Sequence, residues 1–335
     1  MDKKATDKTK YLYGPVPSRR LGLSLGVDIV PLKVCTLDCI YCQIGRTTKT
    51  TIERKEYIPI DEVLAELKEK LVLSEAKDLT HRGKEILRCA QNDKRRIADY
   101  ITVSGSGEPT LNSRLGELID GIRRLTDIPV AILTNGTLLY RKDVRADCAK
   151  ADLVLPSLDA GDEQAFCKIN RPHRDISIEK LISGLCSFRN EFSGQIWLEI
   201  FFVEGINTDA EQIAKIKNAI ERIRPDKAQL NTAVRPTAEP NVRAMDAERL
   251  QVIASQLGER CEVVADFSPH HYSQSFESRA EDVLSMLKRR PCSLKNICSG
   301  LGIRSNEALK YISHLQKQGV IHSEEKNGVI FFMAK

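Results

Sequence analysis

The chain has 335 residues, 41% of them hydrophobic and 29% charged, close to the globular average. That balance excludes a largely disordered, collagen-like or membrane-spanning chain, and at roughly 150 residues per domain the length predicts about two domains. Lys and Arg total 51 against 46 Asp and Glu, a net charge of +5, which permits an RNA partner without demanding one.

Residues 1–10 are polar and read as a disordered tail with no apolar core of a secretory signal. No later run approaches the roughly 20 apolar residues of a spanning helix. A cytoplasmic protein without a membrane partner is expected. Tyr11 to Arg20 holds Gly14, Pro15 and Pro17 and reads as a turn or extended arm. Residues 27–32 (VDIVPL) read as a short buried strand, followed directly by Cys35, Cys39 and Cys42. Val63, Leu64, Leu67 and Leu71 predict a helix over 61–73, capped by Asp61. The polar stretch 75–96 breaks the pattern and reads as an exposed insertion; Cys89 lies in it and is discounted as a ligand.

Alternation then sets in. Strands are predicted at 100–104, 130–134, 153–157, 196–203 and 228–232, with helices at 113–125, 140–150, 176–188, 209–223 and 245–257. Strands alternating with amphipathic helices make βαβ units and a parallel sheet. With the first strand there are six units, enough for an open doubly wound sheet or a curved, incomplete barrel. Periodicity does not separate the two. Residues 11–268 would form this unit and 269–278 a linker. Beyond it, helices are predicted at 279–289, 293–300 and 305–318, and a hairpin at 320–323 and 328–332. Residues 279–335 therefore resemble a small winged helix-turn-helix. Its expected core is Val283, Leu287, Ile297, Leu309, Ile312, Leu315, Ile321 and Phe331.

The chain has ten cysteines. In a long chain without an export signal they argue against a disulfide framework and for a metal or cluster site. Only Cys35, Cys39 and Cys42 have ligand spacing, CxxxCxxC. Three thiolates on one loop leave a zinc site short of a ligand. They suit three irons of a [4Fe–4S] cluster and leave the fourth iron open; a zinc loop or three core cysteines is the alternative. After the second strand comes SGSGEP, with Gly107 and Glu108. There a glycine lets backbone approach a ligand closely and a carboxylate can receive an ammonium. Arg19, Arg20, Arg46, Lys49, Arg171, His173 and Arg174 are cations that bind phosphate or carboxylate, or form a solvated face.

The cysteine spacing, with Tyr41 before the last cysteine, resembles the radical S-adenosylmethionine (SAM) superfamily. GPVPSRRLG, VCTLDCIYC, SGSGEPT, LTNGT, PSLDAGD and INRP together look like a family related to the wyosine-forming tRNA enzymes, from Tyr11 to about Ser268. The resemblance implies a partial (β/α)6 barrel with its site at the C-terminal strand ends. It implies a [4Fe–4S] cluster on Cys35, Cys39 and Cys42 and SAM on the open iron. Gly107 and Glu108 would hold the methionine amino group. Thr134, Asn135, Ser157 and Asp159 would contact the SAM ribose or carboxylate, with Tyr41 beside the cluster. Asn207, Asn231 and Arg235 point toward a substrate, and no catalytic residue is assigned. The implied enzyme, an oxidoreductase or transferase, takes an electron from an external donor and cleaves SAM to a 5′-deoxyadenosyl radical that abstracts hydrogen. Wyosine-forming relatives bind a second cluster on further cysteines. Here none precedes Cys35, and Cys148, Cys167, Cys186 and Cys261 are scattered, so one cluster is expected. The expected substrate is RNA or tRNA. The alternatives are a radical SAM activase or modifier of a protein and an iron–sulfur redox-sensing DNA-binding regulator.

Overall fold

The computed structural model describes residues 11–18, 20–82, 97–234, 237–265, 280–281, 283–284, 287, 292–301, 303, 305–326 and 329–335. The 1–10 tail, Arg19, Cys89, Arg235 and the 269–278 linker lie outside the described residues.

The chain opens with an antiparallel hairpin, β1 (Leu12–Ser18) and β2 (Gly22–Val27). A two-stranded ladder of β3 (Val34–Cys35) and β4 (Lys49–Thr50) frames the cysteine loop. Then come α1 (Ile60–Arg82), β5 (Tyr100–Val103), α2 (Leu115–Leu125), β6 (Val130–Leu133), α3 (Lys142–Cys148), β7 (Leu153–Leu155) and α4 (Glu163–Asn170). They are followed by α5 (Ile178–Glu191), β8 (Gln195–Phe202), α6 (Ala210–Ile223), β9 (Lys227–Thr232), α7 (Ala247–Leu257) and β10 (Cys261–Val263). The sheet order is β1-β2-β5-β6-β7-β8-β9-β10, and from β2 onward every neighbouring pair is parallel.

The expected βα alternation is present, with four departures. The first strand is Gly22–Val27 rather than 27–32. The apolar run after it is a buried loop, with Ile29 and Val30 packed into the core. The arm before it is a strand. Helix α1 runs on through Arg82, so the front of the expected 75–96 insertion continues the helix. Helix α4 and strand β10 are additional. Asp162, Ser177, Asp209 and Asp246 cap α4, α5, α6 and α7 by accepting from backbone N–H groups three residues on.

The sheet has two unlike faces. On β8, Ile196, Leu198, Ile200 and Phe202 are fully buried in the main core. The alternate residues Trp197, Glu199 and Phe201 lie on the inner face. Leu21, from the β1–β2 turn, packs there with Ala131, Leu153 and Leu155, and Trp197 lies against them. This cluster forms a floor at the N-terminal ends of the strands.

In the C-terminal stretch, β11 (Cys292–Ser293), α8 (Leu294–Leu301), α9 (Ser305–Lys317), β12 (Ile321–Lys326) and β13 (Val329–Ala334) follow in order. Their sheet has the order β11-β13-β12. A separate apolar cluster contains Val283, Leu287, Ile297, Ile312, Leu315 and Ile321, as expected, together with Tyr311 and Phe332. Leu309 and Phe331 are only partly buried. Side chains alternate across a strand, so when Phe332 faces in, Phe331 does not. Helix α9 packs on β1. Tyr13, whose ring lies where a side chain on Gly26 would be, hydrogen-bonds Ser104 Oγ at 2.5 Å and also Asn306 of α9. Among the described residues no helix is long and apolar enough to cross a membrane.

Candidate functional site

The C-terminal ends of the parallel strands converge on the cysteine loop. Lys33 N–H donates to Ser106 O at 2.6 Å and Glu108 N–H to Val34 O at 3.1 Å, which stitches the loop to the turn after β5. On the far side Asp38 N–H donates to Asn170 O, Ile40 N–H to Ile169 O and His173 N–H to Thr36 O, each at 2.9 Å. The INRP segment is thus the other wall. Arg171 reaches Glu239 Oε1 at 2.7 Å, and Arg46 pairs with Asp38 and Glu239. These cations brace the loop. Lys49 is exposed.

The thiols are half-buried in an acidic setting. Burial, then the charge of Glu108, pushes Cys35 up to about 12. Burial, then Asp159, pushes Cys39 well above the usual thiol range, and burial raises Cys42. Buried carboxylates beside three thiols call for a positive centre, and metal binding would deprotonate the thiols. Two amides point at the sulfurs: Asn135 Nδ2 lies 3.5 Å from Cys35 Sγ and Asn170 Nδ2 3.3 Å from Cys39 Sγ. Among the described residues no three His, Cys, Asp or Glu side chains are grouped about one metal ion. A cluster asks something else, one thiolate for each of three irons. The donor set and its surroundings fit a cluster.

Glu108, Thr134 and Asn135 are brought together at the ends of β5 and β6. Glu108 is 2% exposed. Its Oε1 accepts from Thr110 N at 3.0 Å and from the Thr110 and Thr134 hydroxyls at 2.6 Å; among the described residues its Oε2 accepts from Asn135 N alone, at 2.7 Å. Burial raises its pKa against these donors. A carboxylate oxygen has two lone pairs, so Oε2 keeps capacity for one more donor. Gly107 contributes through its bareness, since the cysteine loop passes where a Cβ would stand.

Tyr41 and Asp159 also meet. Tyr41 Oη donates to Asp159 Oδ2 at 2.5 Å, Asn170 Nδ2 donates to the same oxygen at 2.7 Å, and Phe201 N–H donates to Oδ1 at 2.8 Å. The Tyr41 ring stacks on Phe201, centroids 3.9 Å apart. Burial raises Asp159 to about 6. Asn170, 2% exposed, has a buried Oδ1 with no partner. Sequence reasoning quoted INRP but did not single out Asn170; its place two residues before Pro172 gives no spacing signal. Ser157 is partly exposed and its backbone bridges that of Glu199.

The expected substrate residues diverge. Asn207 is fully buried: its amide donates to Asp159 O and Phe201 O and accepts from Val203 N. It braces the end of β8. Asn231 lies on the inner face and donates to Glu199 Oε1 at 2.9 Å.

Residues 29–216 match the family described as Radical SAM superfamily. The chain is 36% identical over 328 residues to a protein of Brachyspira hyodysenteriae named GTPase Obg, covering 97% of this chain and 45% of that one. It thus spans less than half of that relative. It is 32% identical over 326 residues to UPF0026 protein MJ1312 of Methanocaldococcus jannaschii, covering 96% of this chain and 95% of that one. In fold it is similar to a radical SAM methyltransferase from Sphaerobacter thermophilus, with TM-score 0.51 and 16% identity over 73% of this chain and 67% of that one.

Proposed function

The chain belongs to the radical SAM superfamily and, within it, to the UPF0026 family, and from that premise we propose that it is an enzyme with one [4Fe–4S] cluster on Cys35, Cys39 and Cys42. When bound, the cluster and SAM supply reductive cleavage of the S–C5′ bond and hydrogen abstraction from the substrate. The chain's own residues bind, orient and shield. Glu108 Oε2 accepts the ammonium of SAM, and Thr134 and Asn135 hold the carboxylate still by bonds to both its oxygens. Asp159 and Ser157 serve the SAM ribose or carboxylate. Tyr41, stacked on Phe201 and tied to Asp159, closes the apolar side of the cysteine loop against water. The sheet reads as the partial (β/α)6 barrel of this chemistry, β2 and β5 to β9 supplying the six strands, with the site at their C-terminal ends.

The observation that carries the reading is the Oε2 oxygen of Glu108, buried beside the cysteine loop with a lone pair to spare. Anaerobic reconstitution is expected to give about four irons per chain, and dithionite with SAM is expected to yield 5′-deoxyadenosine. Absence of that product from the iron-loaded protein, or iron retained when all three cysteines are replaced by Ala, overturns it.

Residues 279–335 read as a winged helix-turn-helix that recruits substrate, RNA or tRNA first, since this architecture so often binds nucleic acid. A protein substrate is the second reading. It is favoured by exposed Glu324, Glu325, Val329 and Ile330 on the β12–β13 hairpin, a surface ill-suited to phosphates. Gel-shift with bulk tRNA separates the two: loss of binding on removing residues 279–335 supports the first, and no binding by the full chain the second.

A further inference from the structure

We propose that the inner face of the sheet, between the Leu21 floor and the cysteine loop, binds a zwitterionic α-amino-carboxylate group, with its carboxylate at Arg20 and its ammonium between Glu199 and Gln229. The proposal builds on the reading above, an enzyme with its site at the C-terminal ends of these strands.

The polar patch on this face is built by register. Glu199 of β8 pairs with Gln229 of β9, and Phe201 with Asn231. Paired residues of neighbouring strands point to the same side. That side is opposite Leu198, Ile200, Ala228 and Leu230, which belong to the main core. Arg20 arrives from the β1–β2 turn. The next residue, Leu21, is wedged into the floor beside Leu153, Leu155 and Trp197. This places the Arg20 guanidinium against Glu199, Nη1 to Oε2 at 3.0 Å, with the two side chains 15% and 20% exposed.

Two features point to a ligand. First, a mostly buried ion pair is a poor way to gain stability, because desolvation offsets the attraction and apolar packing of similar volume is often as good. The floor below it is apolar, so such packing lay within reach. Second, the patch includes buried polar atoms without hydrogen-bond partners among the described residues. Arg20 Nη1 is buried and, although ion-paired, makes no aligned hydrogen bond. Gln229 is 2% exposed; its Nε2 is committed to Glu262 Oε1 at 2.8 Å, and its Oε1 has no partner. Unpaired buried polar groups are rare in folded proteins and each calls for a ligand or water. Here one is a cationic donor and the other an acceptor one strand away from a carboxylate. An anion answers the first, an ammonium answers the second, and an α-amino acid carries both.

The test is saturation-transfer NMR on the full-length apo chain with the common free L-amino acids at millimolar concentration, followed by N-acetyl and carboxamide forms of any that bind. Binding of at least one amino acid is expected, weakened about tenfold or more by either blocking group and by Arg20→Met or Glu199→Gln. If no amino acid binds, the proposal fails. It fails equally if both blocked forms bind as well as the parent, or if both variants bind like the unaltered chain. Should a variant not fold, the blocked-ligand series still decides, since it uses the unaltered chain. The readout needs neither iron nor SAM. Absence of SAM cleavage would therefore sink the proposed function and leave this site standing, and absence of amino-acid binding would do the reverse.

Discussion

The carbonyl oxygen of Val34 occupies the space of a side chain on Gly107: a Cβ there would lie 2.0 Å from it. The same carbonyl accepts from Glu108 N–H at 3.1 Å, so the residue before Cys35 is pinned to the residue proposed to meet SAM. Gly107→Ala is expected to push the loop off the turn at about 1–3 kcal/mol, the usual cost of overpacking. Reduced iron per chain after reconstitution and a lower melting temperature are the readouts. Full iron content would show that the loop yields cheaply.

Glu108→Gln tests the ammonium contact. A charge-assisted hydrogen bond contributes about 1.5–3 kcal/mol, so SAM affinity is expected to fall by about tenfold or more. The substitution also sets an NH2 against a donor whichever way the amide turns, Thr110 and Thr134 on one side or Asn135 N–H on the other. Calorimetric SAM affinity should therefore be read with the cluster absorbance. A weaker affinity with an unchanged spectrum is the expected pair; unchanged affinity refutes the contact.

Asn170 and Asn135 are positioned to set the cluster's reduction potential. An N–H donor to a cysteine sulfur withdraws charge and favours the reduced cluster. Removing the Asn170 donor to Cys39 Sγ, by Asn170→Ala, is expected to lower the midpoint potential. A differential of about 1 kcal/mol corresponds to roughly 40 mV for a one-electron couple. Redox titration followed by electron paramagnetic resonance reads it; an unmoved or higher potential counts against the role.

Asp159 makes a pH prediction for the iron-free chain. Burial raises its carboxyl from the ordinary 3.8 to about 6. The folded state then holds the proton more tightly than the unfolded chain. Its stabilising contribution is full below about pH 4 and is lost as pH rises through about 6. Asp159→Asn cannot titrate. The unaltered chain should therefore lose stability relative to this variant between about pH 4 and pH 7, by up to about 3 kcal/mol. Melting curves across that range decide, and a constant difference would contradict the shift. The variant also loses an acceptor for Tyr41, Asn170 or Phe201, a penalty that does not depend on pH.

Much of this was legible before any coordinates. Cys35, Cys39 and Cys42 stand out as candidates through spacing and Glu108 through its glycine-rich turn, while Thr134, Asn135 and Asp159 are singled out by the family resemblance. What stayed hidden has physical reasons. Strand β1 reads only as a turn or extended arm because Gly14, Pro15 and Pro17 signal local punctuation, and its pairing with β2 is not encoded locally. VDIVPL reads as a strand because burial, not hydrogen bonding, dictates its composition. Strand β10 spans only Cys261–Val263, too short for period-two alternation to register. Asn207 looked like a substrate ligand because a polar residue after a strand usually faces a site; its amide is instead spent on three backbone partners. The importance of Asn170 depends on a fold that carries α4 back onto the cysteine loop, and no local pattern encodes that.

The margins of the large sheet have a consequence for how this protein behaves in a crowded solution. An open strand edge is a template on which another chain can crystallise into β-structure. At one margin, β1 carries two prolines with no N–H to offer, and α9 lies against it. At the other, β10 is three residues long and bears Glu262. Neither margin gives an incoming strand a long, regular ladder to copy. Helix α9, lying against β1, therefore helps to close that margin of the parallel sheet.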